Sequence, residues 1–309
     1  MTSTERFPVT NHHRVILDTD IGSDVDDLMA LTLLLGTPSV ELVGVTTVYG
    51  DTPLRARLAK RVLRMAGCDA PVHAGLRVPL SRRDVWWAGH EGALYPDLDA
   101  ETYDSDDAVR YLIDTVLASP GEIELVAIGP LTNIAAALIA EPRFAGAVGR
   151  VWIMGGDFAD DTPEHNLLSD SDAARTVFDS GMTITITGLE VTRRIDIRTA
   201  ELDRIEQSGA LGALIRAEIE QWWAFWNEEW NVPHDPVTVL TLTHPELFEA
   251  TAPGHVQIGT GEREGRTGHT LGGGRTRVIT ALDAAAVSES IVSGIVTGST
   301  EDAPLGIVP

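Results

Sequence analysis

Short runs of aliphatic and β-branched residues alternate with longer amphipathic segments through the first two thirds of the chain. The apolar runs are continuous and predict buried strands at 14–19, 40–50, 123–129, 150–156 and 182–192. The segments between them carry helical periodicity at 26–36, 52–67, 131–140 and 172–181. This alternation is typical of an α/β fold, a doubly wound and mostly parallel sheet with helices on both faces.

The last third of the chain follows a different pattern. Residues 199–243 are predicted to be helical, including Trp222, Trp226 and Trp230, whose spacing would place them on one helix face. Residues 254–283 are rich in glycine and predict short strands joined by turns, and 284–296 predicts a closing helix. Because no stretch of disordered composition divides the chain, we expect residues 1–309 to form one domain with extra C-terminal helices and short strands.

The composition of the chain excludes some classes of binding partner. The net charge is -23 with a pI of about 4.6, and the scattered basic residues form no patch for nucleic acid or an anionic membrane. Cys68 is the only cysteine, which excludes an internal disulfide and fits a reducing compartment. The first 14 residues lack the apolar run of a signal peptide, and no stretch reaches the length of a membrane span. We expect a soluble, cytoplasmic protein.

Five aspartates crowd the segment "DTDIGSDVDD": Asp18, Asp20, Asp24, Asp26 and Asp27. Like charges this close repel one another unless a positive charge lies among them. The segment spans the end of the first predicted strand and the start of the next helix, where doubly wound sheets bind ligands. Carboxylates in such number suit a hard divalent cation, and Ca²⁺ tolerates irregular geometry.

Two known aspartate motifs and simple helix capping fit the cluster less well. A calcium-binding helix–loop–helix counted from Asp18 would need glycine and glutamate where Ser23 and Met29 stand. An aspartyl phosphotransferase would need a lysine to balance phosphate charge, and Lys60 is the only lysine of the chain. Helix capping explains one or two aspartates but does not require five.

Seven strings in chain order make the sequence similar to a known family. They are "DTDIGSDVDD", "ELVGVTTVYGD" at 41–51, "VAIGPLTNIAAAL" at 126–138, "VWIMGGDF" at 151–158, "PEHN" at 163–166, "TGLEVT" at 187–192 and "PHDPVTVL" at 233–240. Together they resemble the nucleoside hydrolases, or nucleoside N-ribohydrolases. The string at 187–192 matches a structural strand of the family, so we expect a strand there.

The resemblance implies hydrolysis of the N-glycosidic bond of ribonucleosides, a tightly bound Ca²⁺ and assembly into homo-oligomers. Asp20 would be a metal ligand and the base that takes a proton from water. Asp27 and Asp235 would be further ligands, and Ile128 would contribute its backbone carbonyl. A bound cation would acidify the attacking water and orient it with the ribose diol.

The resemblance also implies the sugar contacts. Asp26 would hold the ribose 2′-hydroxyl, and Met154 would pack beside the ribose. The other hydroxyls would be held by Asp51, Glu164 and Asn166. Positive charge builds on the ribose ring as an N-glycoside breaks, so carboxylates around the sugar would stabilise the transition state.

Three departures from the family pattern leave alternatives open. Ile21 replaces a proline and two residues are added before Asp26, so Asp24 could take the role given to Asp26. Asp51 stands where many members have asparagine, and the loop between Met154 and Glu164 lacks an asparagine often found there. Hydrolysis of a modified N-riboside, or binding of ribonucleosides with little turnover, would also fit these changes.

Histidines and tryptophans are candidates for contacts to the leaving base. His234, next to Asp235, is the first candidate for protonating or bonding the base, and His90 is a weaker one. Most tryptophans would pack in the core or at a subunit interface, with one or two against the base. The sequence does not decide between purine and pyrimidine.

Overall fold

The computed structural model describes residues 12–300. Its strands, in chain order, are β1 (His13–Thr19), β2 (Val40–Thr47), β3 (Val72–Ala74), β4 (Ile123–Ala127), β5 (Arg150–Met154), β6 (Ile184–Thr187), β7 (Phe248–Ala250), β8 (Gly254–Ile258), β9 (Thr267–Leu271) and β10 (Thr276–Leu282). Its α-helices are α1 (Asp26–Leu35), α2 (Thr52–Met65), α3 (Ala108–Ala118), α4 (Thr132–Ala140), α5 (Phe144–Ala147), α6 (His165–Ser169), α7 (Ser171–Phe178), α8 (Leu189–Thr192), α9 (Thr199–Glu206), α10 (Ala210–Trp226), α11 (His234–Thr243) and α12 (Ala284–Gly298). Three 3₁₀ turns lie at Leu98–Ala100, Pro245–Leu247 and Gly261–Arg263.

The strands form one sheet in the order β3-β2-β1-β4-β5-β6-β10-β8-β9, and β7 pairs with β10. The pairings from β3 to β10 along this order are parallel, whereas β7 and β8 run antiparallel to β10 and β9 antiparallel to β8. The chain moves outward from β1 to β2 and β3, then returns to the other side of β1 at β4. The strand order therefore reverses beside β1, as in other doubly wound sheets.

Two apolar cores cover the two faces of the sheet. In β1, Val15 and Leu17 belong to the core that includes α1, α2 and α10 to α12, while Ile16 belongs to the core with α3, α4 and α7. Successive strand residues point to opposite faces, so a strand buried on both faces must be apolar throughout. The α/β class, the mostly parallel sheet and the C-terminal additions predicted from sequence are confirmed.

The prediction of a strand through residues 182–192 is wrong in its second half. β6 ends at Thr187, which pairs with Met154 at the end of β5, and its last pair with β10 is Ile186 with Val278, beyond which β10 pairs with β7. The chain turns there, and the amide of Leu189 donates to the carbonyl of Gly156 at 2.9 Å. Leu189–Thr192 then forms the short helix α8 instead of a strand.

The prediction that 199–243 is helical is correct, but the chain leaves the helix twice in this range, at 207–209 and at 227–233. α10 ends at Trp226 because Asn227 adopts a left-handed backbone with φ 54°, and α11 begins only at His234. Trp230 therefore lies outside α10, and the prediction that it shares a helix face with Trp222 and Trp226 is wrong.

No helix among residues 12–300 has the length and apolar character needed to cross a membrane. The prediction that a signal peptide is absent rests mostly on residues 1–11, which lie outside the described range. The cytoplasmic location stays a prediction.

Candidate active site

Three neighbouring strands bring predicted site residues to one edge of the sheet. Asp20 follows β1, Ile128 follows β4, and Met154 ends β5. The carboxyl ends of parallel strands lie at the same edge, and ligands of doubly wound sheets bind where the strand order reverses. The geometry of the sheet therefore places the aspartate-rich segment at a binding crevice.

A cavity of about 480 Å³ opens at this edge, within the size range of small-molecule sites. Most of the predicted site residues line it: Asp20, Asp26, Asp27, Ile128, Met154, Glu164, Asn166, His234 and Asp235. The other lining residues are Ser23, Asp24, Trp86, Pro163, His165, Leu189, Arg193, Trp222 and Trp226. The fold thus gathers side chains that lie more than 200 residues apart in sequence.

Three buried carboxylates in the cavity form a tight group. Asp26 and Asp27 lie in the first turn of α1, and Asp235 lies in the first turn of α11. One oxygen atom from each carboxylate lies within 4.8 Å of the others. The partial positive charge of two helix N-termini favours anions here, but it is too small to balance three carboxylates. An all-oxygen donor set of this kind fits a hard divalent cation.

The electrostatics of the group support the same conclusion. Burial, reinforced by repulsion from neighbouring aspartates, raises the pKa of Asp26, Asp27 and Asp235 well above the usual value. Burial also raises the pKa of Asp24, to about 7. Ionised carboxylates are costly to bury without a partner, so the cavity favours either proton uptake or a bound cation. The donor set and its charge therefore fit a metal ion.

One permanent positive charge lies beneath the aspartates. Arg55 of α2 is fully buried, and its guanidinium donates to the backbone oxygens of Tyr49 at 2.7 Å, Ile21 at 2.9 Å and Asp20. Burial raises the pKa of Asp20, and the charge of Arg55 opposes this rise. The sequence analysis did not single out Arg55, although it shares the apolar face of α2 with Leu58.

Asp18, the first aspartate of the segment, lies behind the cavity and does not line it. Its Oδ1 accepts hydrogen bonds from the Thr46 hydroxyl at 2.5 Å and from the Asn133 amide at 2.8 Å. Asn133 also donates to the carbonyl of Thr47 at 3.0 Å. Burial raises the pKa of Asp18 to about 7. These bonds fasten β1, β2 and α4 together, so Asp18 has a structural role.

Glycine at position 129 is required by the closeness of Asp20. A Cβ atom at Gly129 would lie 2.8 Å from Oδ1 and 3.0 Å from the amide nitrogen of Asp20. It would also lie 2.9 Å from a methyl group of Val48. The turn after β4 therefore fixes Asp20 in place.

Glu164 and Asn166 form a further part of the cavity wall, the Glu164–Asn166 wall. The Glu164 carboxylate caps α6, accepting from the amides of Asn166 at 2.8 Å and Leu167 at 3.0 Å. Burial raises the pKa of Glu164, although these bonds oppose the rise. The Asn166 side chain donates to the carbonyl of Ile128 at 2.7 Å. Both side chains are buried and held in fixed positions.

His234 is the first residue of α11, precedes Asp235 of the carboxylate group, and is half-buried where it lines the cavity. Its Nδ1 is 2.7 Å from the Thr192 hydroxyl of α8. Burial, together with the charge of Arg193, lowers the pKa of His234 to about 4. The imidazole is therefore neutral near pH 7, with its ring orientation set by Thr192.

The structure does not bring two predicted contacts into the cavity. Asp51 is exposed; it caps α2 by accepting from the amide of Leu54 at 3.3 Å and lies 3.7 Å from the Arg77 guanidinium. His90 does not line the cavity, and its Nε2 lies 2.9 Å from the carbonyl of Ser23. The helix cap explains why an aspartate suits position 51.

Several cavity residues escaped the sequence analysis as site residues. Trp86 and His165 line the cavity and meet edge to face with ring centroids 5.9 Å apart. Arg193, which follows α8, also lines it and lies 3.5 Å from the carboxylate of Asp157. For His165 a signal was present, because it lies between the two predicted sugar contacts in "PEHN".

The arrangement is that of an α/β enzyme site for a small polar ligand, and comparisons with known proteins specify the class. Residues 15–289 match the family described as inosine-uridine preferring nucleoside hydrolase. A relative named "Probable uridine nucleosidase 2" from Oryza sativa subsp. japonica is 34% identical over 263 residues, covering 79% of this chain and 77% of the relative. The pyrimidine-specific ribonucleoside hydrolase RihB of Escherichia coli O9:H4 (strain HS) is 33% identical over 208 residues, covering 63% and 66%.

Solved structures agree with the sequence matches. The plant nucleoside hydrolase PpNRh1 superposes with a TM-score of 0.83 at 29% identity, covering 92% of this chain and 99% of the other. The purine-preferring ribonucleoside hydrolase from Gardnerella vaginalis shares the fold, with a TM-score of 0.83 at 24% identity over 93% and 99% of the two chains. The chain therefore belongs to the inosine-uridine preferring nucleoside hydrolase family and is an N-glycosyl hydrolase.

Proposed function

We propose that this chain hydrolyses the N-glycosidic bond of ribonucleosides, with Ca²⁺ bound in the acidic cavity, and releases ribose and a free base. The observation that carries the proposal is the meeting of three carboxylates, the Glu164–Asn166 wall and His234 in one cavity. The names of the relatives, uridine nucleosidase and pyrimidine-specific ribonucleoside hydrolase, support the substrate class.

The residues proposed to hold the ion are Asp26, Asp27 and Asp235, with the backbone oxygen of Ile128. That oxygen already accepts a hydrogen bond from Asn166, and a carbonyl has a second lone pair to offer. Ca²⁺ suits this set because it takes many oxygen ligands and tolerates irregular geometry. When bound, such an ion would lower the pKa of a water molecule, so that the water could lose a proton near neutral pH.

Asp20 is proposed as the base that takes the proton from water. It lines the cavity but does not belong to the group of three oxygens within 4.8 Å of one another. In this proposal its carboxylate is left to face a water molecule, and Arg55 below favours its ionised form. The second role expected for Asp20, as a metal ligand, stays a prediction.

The sugar is proposed to lie between the aspartates and the Glu164–Asn166 wall, with Met154 beside it. Because Asp26 belongs to the carboxylate group, we assign the ribose diol to Asp24, the alternative that the added residues left open. The carboxylates of Asp24 and Glu164 would stabilise positive charge as it develops on the ribose ring. Asp51, outside the cavity, has no part in this proposal.

His234 is proposed to face the leaving base. Thr192 holds one ring nitrogen, Nδ1, which leaves the Nε2 edge of the imidazole for the base. With a pKa of about 4 the ring is neutral near pH 7, so it would act as a hydrogen-bond donor and not as a strong acid. The base would lie between His234 and the rings of Trp86 and Trp222.

The experiment is a reducing-sugar assay on purine and pyrimidine ribonucleosides, with Ca²⁺ and after chelation. We expect ribose release that calcium supports, and a loss of roughly 100-fold or more in kcat for Asp20→Asn. Asp114→Asn, on the exposed side of α3, is the matched control and should retain activity. Binding of nucleosides without ribose release would favour the alternative of a ribonucleoside-binding protein. Ribose release from modified N-ribosides alone would favour the alternative of a hydrolase for modified N-ribosides.

A further inference from the structure

A second chamber of about 410 Å³ lies beside the active-site cavity. Asp24, Trp222, Trp226 and His234 line both spaces, so the two meet at the histidine proposed to face the leaving base. The first cavity, at about 480 Å³, is large enough for an unsubstituted nucleoside. The chamber is therefore additional space next to His234 and Trp222, which are proposed to contact the base.

Aromatic rings and carboxylates dominate the walls of the chamber. Trp223 and Trp230 complete the four indoles, and Glu228 joins Asp24 as the second acid. Among residues 12–300, no lysine or arginine lines this space. The faces of indole rings attract cations, and nearby carboxylates add to that attraction. The chamber has the chemistry of a cation-binding aromatic cage.

Hydrogen bonds fix the walls in place. Asn227 turns the chain in a left-handed conformation after α10, and the amide of Glu228 donates to the carbonyl of Trp223 at 3.1 Å. The indole nitrogen of Trp223 donates to the carbonyl of Trp230 at 2.9 Å, and the indole of Trp230 donates to the Glu228 carboxylate. Trp226 and Trp230 line the chamber and are nevertheless 53% and 51% exposed to solvent.

The chamber differs from the active-site cavity in what its walls are already assigned to. In the proposed function the carboxylates of the cavity serve the metal ion, the water molecule and the ribose, and its wall includes Arg193, which the chamber lacks. A positive group attached to the base would meet indoles and the Glu228 carboxylate in the chamber.

We propose that the chamber receives a positively charged substituent of the leaving base, so that the enzyme prefers ribonucleosides whose base carries an alkylammonium arm. The inference rests on the proposed function, because the nucleoside must occupy the cavity for its arm to reach the chamber.

The test compares matched pairs of substrates. N6-(4-aminobutyl)adenosine and N6-pentyladenosine differ only in the ammonium or methyl group at the end of the arm, and 5-(3-aminopropyl)uridine and 5-butyluridine form the pyrimidine pair. The pair whose parent nucleoside is turned over faster is used. We expect kcat/KM to be roughly tenfold higher for the cationic member.

Variants assign that preference to the chamber. Glu228→Gln should reduce the ratio between cationic and neutral substrate towards one, and Trp230→Leu should reduce it by removing a wall. Glu229→Gln is the matched control, because Glu229 is the adjacent carboxylate and does not line the chamber. Unchanged circular dichroism would show that each variant is folded.

A wild-type ratio near or below one, with the parent nucleoside hydrolysed, would overturn this inference and leave the proposed function intact. The inference would also fail if free pentylammonium altered turnover of the parent while the arm conferred no preference. If neither parent were hydrolysed, the proposed function would fail. Calorimetric binding of the same pairs would then decide, with tighter binding of the cationic member supporting the chamber and equal binding overturning it.

Discussion

Replacing Asp235 with asparagine should change thermal stability in opposite directions with and without calcium. In the wild-type protein Asp235 is buried beside Asp26 and Asp27, and its pKa is raised in the folded state. A raised carboxylate pKa means that ionisation destabilises the fold, so this penalty is absent below the ordinary value near 3.8 and grows as the pH rises. Asparagine keeps the shape and removes the charge.

The size of the effect follows from the geometry. Oxygen atoms of the three carboxylates lie within 4.8 Å of one another. At an effective dielectric constant near 20, each like-charge pair at that distance costs about 3 kcal/mol. Proton uptake limits the total, so we expect Asp235→Asn to gain about 3 kcal/mol in chelator, or roughly 5 °C in a chain of this length. With calcium present, the variant loses a ligand and should melt below the wild type.

The assay is thermal unfolding at pH 7.5 in EDTA and in millimolar CaCl₂. Asp114→Asn on α3 is the control, because it removes one exposed carboxylate and should shift the melting temperature little in either buffer. The reasoning would be refuted if Asp235→Asn melted below the wild type in EDTA, or if calcium stabilised both proteins equally.

Two further predictions address other parts of the fold. Glu218 of α10 is buried against Tyr95, and burial raises its pKa to about 7. The stability of the wild type relative to Glu218→Gln should therefore fall by about 3 kcal/mol as the pH rises from 4.5 through 7. Urea unfolding across that pH range measures the difference. A difference independent of pH would contradict this. Gly129→Ala should lower stability by about 1–3 kcal/mol and reduce kcat by displacing Asp20. Gly146→Ala is the control and should do neither, because a Cβ added there meets nothing within 4 Å. Equal activity of both variants in the reducing-sugar assay would exclude a positioning role for Gly129.

The sequence was most informative where one physical requirement acts on consecutive residues. β1 was predicted at 14–19 and is found at His13–Thr19, because a strand buried on both faces must be apolar without interruption. α1 was predicted from Asp26 to Gly36 and spans Asp26–Leu35, because its acidic first turn and the closing glycine are local signals. The crowding of aspartates at this junction also predicts a cation site from local sequence alone.

The tertiary structure decided what depends on distant neighbours. Arg55 could be predicted to lie on the buried face of α2, but only the return of the chain places its guanidinium under Asp20. Asp51 matches the family's sugar-contact position in sequence, but its carboxylate caps α2 and does not line the cavity. The position of the Arg55 guanidinium depends on the path of the whole chain, which short motifs do not encode, whereas the role of Asp51 follows from a local helix cap.

The ends of some helices and strands likewise depend on residues that are distant in sequence. Val191 and Thr192 favour a strand by propensity, but β5 ends at Met154 and β10 pairs with β7 beyond its last pair with β6, so neither neighbouring strand pairs with them. Helical spacing links Trp230 to Trp226, but the left-handed Asn227 between them ends α10 and turns Trp230 back over the chamber. Local sequence thus determined the buried strands, the helix starts and the acidic chemistry of the site. The packing of distant segments decided where strands find partners, which charges meet and what shape the cavity has, because pairing and burial are properties of neighbours in space.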